Sequence, residues 1–245
     1  MSNSTEAYHQ YLIVEDQLRA LLRERKRDPA VVLRQLQAII TGQNEPRPAL
    51  PGSEIVLTHE DCVQFLRKFC GIKHVQGLIN MAWPQQKPRG FFWPVPCHKA
   101  LTYDRLAELI VKRKVPHYDW VPDYLRKQVD RGFDCRGVGS DYILWTPTGI
   151  ESREACPELR EISYRDLWQM KGEVLNCREA VILWLLVYWK TQGQVRLDPK
   201  GWTRTSSRLV DGHGVHVRAS DDRLYVLWDT PGNAHPDGSA RSAVS

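Results

Sequence analysis

Apolar positions recur at helical spacing through the first half of the chain and alternate near its end. Tyr11, Val14, Leu18, Leu21 and Leu22 form one stripe, and Val32, Leu36, Ile39 and Ile40 a second. Residues three and four apart share a helix face, so the pattern predicts a helical hairpin over 1–42. Asp28-Pro29 supplies a cap and a proline suited to the first helical turn, and Gly42 closes the second helix. The proline-rich stretch 43–53 cannot continue it and is predicted to be a linker.

A mainly helical segment is predicted over 54–132. Thr58, with Glu60 and Asp61 behind it, starts a helix that runs to Cys70-Gly71. "WPQQKPRGFFWPVP", 83–96, is an extended loop punctuated by proline. Thr102 caps "YDRLAELIVKRK", which stops before Pro116, and Pro122 opens another helix ending at Gly132. The third segment, 133–245, starts with a strand at 141–145 and a short helix after Ser163. Asn176 and Glu179 form a capping-box pattern before the apolar run "AVILWLLVYW". Three alternating strands follow, near 204–210, 215–219 and 224–228, with a flexible tail from about 231. The fold class is α+β: a helical hairpin, a helical middle and a helix packed on a small antiparallel meander.

The apolar run at 180–189 lies between Glu179 and Lys190 and falls well short of the ~20 residues that span a bilayer. It reads as a buried helix, and no membrane association is expected. Cys62, Cys70, Cys97, Cys135, Cys156 and Cys177 include no C-x-x-C pair, and the opening residues lack a secretory signal. Reduced thiols and a cytoplasmic location are the expectation.

Candidate chemistry is sparse. In "DGHGVHV", 211–217, His213 falls in a hairpin turn and His216 in the next strand, so strand alternation does not bring them together. A zinc site needs about four ligands, or three and a water. Cys62, Cys70 and His74, with Cys97 and His98, form a second grouping, but the cysteines interleave with Val63, Phe65, Leu66 and Phe69 as core residues do. No metal ligand or cofactor site is assigned. Nucleophile elbow, phosphate loop and dinucleotide fingerprint are all missing from the sequence, so no catalytic residue is assigned either.

Charge changes the picture once. The net charge is +5, and residues 83–131 carry ten Lys and Arg against five Asp and Glu. Lys87, Arg89, Phe91, Phe92, Trp93, Lys112, Arg113, Lys114 and Trp120 are the candidate binding residues, cations for phosphate among aromatics for stacking. The alternative has the aromatics in the core and the cations on a solvated helix face. A Pro-aromatic loop also suits protein contact. The expected function is therefore binding, to a protein partner first and to nucleic acid second, with an enzyme of dispersed site residues third.

The C-terminal half resembles a group of uncharacterised bacterial proteins, many from small-genome uncultured lineages. The resemblance rests on Leu197, Asp198, Trp202, Thr203, Ser207, Arg208, Asp211, Gly212 and the closing Ala240-Arg241-Ser242-Ala243-Val244. It implies a bacterial cytoplasmic protein with the Asp-Gly hairpin. It carries no activity with it.

Overall fold

The computed structural model describes residues 55–81, 91–134, 136, 139–148, 159–170, 173–195, 197, 201–220, 223–235 and 237–243. These lie in the second of two units, Pro51–Ser245. The hairpin over 1–42, the linker 43–53 and the loop residues 83–90 lie outside the described residues. The described part is α+β.

Helix α1 begins at His59 because Thr58 and Asp61 cap each other's backbone N–H groups; it runs as His59–Gln64 and opens into a π-helical turn, Phe65–Phe69. A short α2, Gln76–Ile79, follows. Strand β1 is Phe91–Cys97, α3 is Tyr103–Lys112 capped by Thr102, and α4, Val121–Asp123, again widens into a π turn, Tyr124–Gln128. After β2, Tyr142–Thr148, come α5, Tyr164–Gln169, and the long α6, Cys177–Thr191. Strands β3 (Trp202–Arg208), β4 (Gly214–Ser220), β5 (Arg223–Asp229) and β6 (Gly238–Ala240) complete the chain.

Helix α6 is the centre. Every residue from Cys177 to Val187 is buried. A helix apolar on all sides has no solvent face to offer, so other elements cover it all round. One covering layer is the antiparallel ribbon of β1 and β2; the other is a sheet in the order β5-β4-β3-β6. The 54–132 and 133–245 segments share this one core, which joins Leu66, Leu106 and Leu125 to Leu186, Val217 and Val226.

Two sequence expectations are corrected. Residues 91–96 are a strand, not a loop: β1 pairs with β2 from Phe91↔Thr148 to Cys97↔Tyr142. Pro94 and Pro96 stand two apart, so their missing N–H groups fall on one edge, and a two-stranded ribbon leaves an edge free for them. The flexible tail is likewise part of the fold. Gly238–Ala240 adds to β3 as a parallel strand, making four strands of the expected three. Beyond it the Arg241 and Glu173 carbonyls accept from Leu175 and Ala243 N–H, and Ala240, Arg241 and Ala243 are buried.

The Asp-Gly hairpin is where the sequence placed it. Gly212 takes the positive φ of the turn, 93°. Gly214 serves another end: a Cβ there would sit 2.2 Å from the Tyr164 ring. Its bareness lets α5 lie against the face of the sheet opposite α6. Among the described residues no helix is long and apolar enough to cross a membrane.

Truncation before Gly238 is expected to cost more than about 4 kcal/mol, beyond the usual range of single substitutions, because it removes a strand and five buried residues, Gly238, Ser239, Ala240, Arg241 and Ala243. Urea unfolding of the shortened chain checks this; unchanged stability would make the tail dispensable.

Candidate binding surface

The polar interior of the molecule gathers at the start of α6. A helix leaves its first four N–H groups without intrahelical acceptors, and here they are buried. Asn176 N–H donates to Glu179 Oε2 at 2.8 Å and Glu179 N–H to Asn176 Oδ1 at 2.9 Å, the reciprocal cap the sequence implied. Cys177 N–H donates to Ser207 Oγ at 2.7 Å, and Arg178 N–H to the Tyr103 hydroxyl at 3.1 Å. Both hydroxyls in turn donate hydrogen bonds to Asp134 Oδ2. Beside them Glu179 Oε1 accepts from the Tyr142 hydroxyl at 2.8 Å and pairs with Arg136 Nε at 3.2 Å, while Arg178 donates to Tyr142 at 2.5 Å. Burial pushes the Asp134 and Glu179 carboxyls up, against the pull of these donors. Its bonds tie the start of α6 to α3, β2, β3, Asp134 and Arg136, so the cluster reads as a structural junction.

The two histidines of "DGHGVHV" go to different surroundings. His213 Nδ1 lies 2.9 Å from Asp211 Oδ1 and its ring rests 4.4 Å from Trp228. His216 is buried, stacked on Trp202 at 5.3 Å with Nδ1 3.2 Å from the Tyr164 hydroxyl. Burial, with Arg204 and Arg218 close by, pulls its imidazole down to about 3. Arg204 lies beside it, fully buried with no described carboxylate in ion-pair range. Its guanidinium donates to the Gly238 and His235 carbonyls at 2.8 and 3.2 Å and so ties both residues to the sheet. Among the described residues no three His, Cys, Asp or Glu side chains gather as a metal site. Cys62, Cys70 and Cys97 are buried in the core, which raises their thiols well above the ordinary value. His98 donates through Nε2 to the His74 carbonyl at 2.9 Å and accepts Ala100 N–H on Nδ1 at 3.0 Å.

The surface with the marks of a contact site runs along the free side of β5. Residues 116–118 lie parallel to that strand, with Leu224 N–H on the Pro116 carbonyl at 2.9 Å and Tyr118 N–H on the Leu224 carbonyl at 3.0 Å. This sets Tyr118, 40% exposed, against Tyr225 with ring centroids 5.2 Å apart. Trp120 meets Tyr118 edge-on at 5.2 Å and Tyr124 at 4.2 Å. Trp228, 47% exposed, lies near the far end of β5, its ring 4.4 Å from His213. Arg218, the cross-strand partner of Tyr225, holds its guanidinium 5.4 Å over that ring and forms no ion pair among the described residues. The result is a row of rings edged by an unpaired cation.

The candidate binding residues separate in the structure. Lys87 and Arg89 lie outside the described residues; Phe91 and Phe92 belong to β1, and their side chains also lie outside. Trp93 is only 3% exposed and donates its indole N–H to the Ile55 carbonyl at 3.0 Å, so it is a core anchor rather than a contact residue. Alternation in β1 turns it inward with Val95 and Cys97. Trp120 joins the exposed rings while packing against the core. Lys112, Arg113 and Lys114 are exposed at the end of α3, remote in sequence from β5. Tyr225, Arg218 and Trp228 were missed by the sequence reading. For Tyr225 a signal was there: Leu224 and Val226 point inward, which turns the residue between them outward.

No family model, curated protein or solved structure matches the chain.

Asp134→Ala strands two buried hydroxyls and is expected to cost about 2–5 kcal/mol in urea unfolding, with a milder loss for Asp134→Asn, which keeps one acceptor oxygen. His216 carries a pH signature. The unfolded imidazole takes up a proton below 6.5, whereas the folded one resists until about 3. Its contribution is therefore complete above 6.5 and lost as pH falls through that window; Asp134 and Glu179, raised in the fold, act with the opposite sign. His216→Gln isolates the first effect. Relative to this variant, the native chain is expected to lose about 2–3 kcal/mol between about pH 7 and about pH 4. A constant difference in denaturation curves at the two pH values would refute it.

Proposed function

We propose that the chain is a protein-binding module that docks its partner on the aromatic–arginine row of Tyr118, Trp120, Tyr225, Trp228 and Arg218. The observation that carries the reading is the exposure of Tyr118, held by the Trp120 and Tyr225 rings, and of Trp228, whose ring rests on His213. Tyr, Trp and Arg dominate the energetic centres of protein interfaces. Rings already held by their neighbours lose little conformational entropy on docking. The stacking partners of Tyr225 are already in place, Tyr118 and Arg218, which leaves edges and hydroxyls for a protein surface more readily than a free ring face for a base.

Crosslinking pull-downs from a bacterial lysate test it, with the native chain, Tyr118→Ala and Trp228→Ala as baits. A partner of this row is expected to bind each variant about 30-fold or more weakly, the scale of an interface centre, while thermal unfolding stays nearly unchanged. Equal retention of every captured protein by the variants would overturn the reading.

A further inference from the structure

A second surface lies where the π turn after α1 meets the end of α3. Arg113, just past α3, donates through Nε to the Phe69 carbonyl at 2.7 Å and through its terminal nitrogen to the Lys68 carbonyl at 2.6 Å. Arg105 reaches the Cys70 carbonyl at 3.1 Å. These bonds close the carbonyl end of α1, a usual duty of basic residues at helix termini. They also join the π turn, which carries Arg67 and Lys68, to the end of α3, which carries Lys112 and Lys114. All four of those side chains are exposed, and none has a hydrogen bond or ion pair among the described residues.

Helix capping leaves these four charges unused, since Arg105 and Arg113 already satisfy the carbonyls. Lys114 adds a second sign. Its φ of 52° is the left-handed conformation that usually falls to glycine after a helix end, yet the chain places a lysine there, at a cost in backbone strain. The composition separates the ligand class from that of the aromatic row. Lysine is depleted at protein interfaces, and apart from Val111 the ridge exposes no large hydrophobic side chain. Lysine and arginine without aromatic anchors are what contacts to nucleic-acid phosphates use.

We propose that Arg67, Lys68, Lys112 and Lys114 form a contact surface for the phosphodiester backbone of nucleic acid, without sequence preference. Each cation neutralises a phosphate and releases condensed counterions, so affinity follows salt rather than sequence.

Fluorescence anisotropy of the full chain with labelled single-stranded and duplex oligonucleotides, titrated across salt, tests this. Binding at low salt is expected, with log K falling against log salt at a slope of about −3 for contacts by these cations. Lys112→Gln combined with Lys114→Gln should flatten the slope by about 1.5 and weaken low-salt binding by about tenfold or more. Arg165→Gln, an exposed cation on α5, should change neither. Lys114→Gly should stabilise the fold in urea while weakening binding, a pairing that a purely structural lysine would not give. Absence of binding at low salt, or an unchanged slope in the double variant, would overturn the proposal. Displacement by polyglutamate at the same charge concentration as by unlabelled oligonucleotide would do so too, by assigning the ridge to acidic polypeptide.

Discussion

The structure depends on burying the polar end of an all-apolar helix. From Cys177 to Val187 helix α6 has no solvent face, so its N-terminus enters the interior with four N–H groups to satisfy. Two find acceptors in the helix's own cap, Asn176 and Glu179. The other two need hydroxyls from α3 and β3, supplied by Tyr103 and Ser207 and gathered by Asp134. Leaving a buried donor unpaired costs about 1–3 kcal/mol. The helix can therefore occupy the centre only when α3, β3 and the segment at 134 are in place together, which makes one unit of elements far apart in sequence.

The sheet inherits its arrangement from that centre. One face turns Val215, Val217, Leu224 and Val226 toward α6. The other carries Arg204, His216, Arg218 and Tyr225 and is only partly covered, by α5 over Gly214 and by His235 and Gly238, which Arg204 holds. Where that cover ends, the outward residues of β5 meet Tyr118 and Trp120. Tyr225 and Arg218 of the proposed protein-contact row are the uncovered remainder of this face, whereas Trp228 alternates with Leu224 and Val226 and stays exposed at the end of the opposite side. The cationic ridge arises separately, from the way Arg113 closes α1. The two surfaces differ in composition as their proposed ligands differ in chemistry: rings and arginine for a desolvated protein contact, lysines for hydrated phosphates.

Local chemistry was legible in the sequence. The caps at Thr58, Thr102, Ser163 and Asn176, the α+β class, the buried helix and the Asp-Gly turn all follow from interactions spanning a few residues, where side-chain type and spacing determine the outcome. What required the tertiary structure is every relation across the chain. Pro94 and Pro96 look like loop residues until β2 pairs with the other edge of their strand. The chain from about 231 looks like a tail because polar and small side chains show no periodicity, yet its Gly238–Ala240 fills the parallel edge of β3. Trp93 and Tyr118 are aromatics of the same basic segment; alternation and pairing send one inward and leave the other exposed. Single positions declare what a residue can do, whereas burial and partnership belong to pairs of distant segments, and only the fold decides which segments meet.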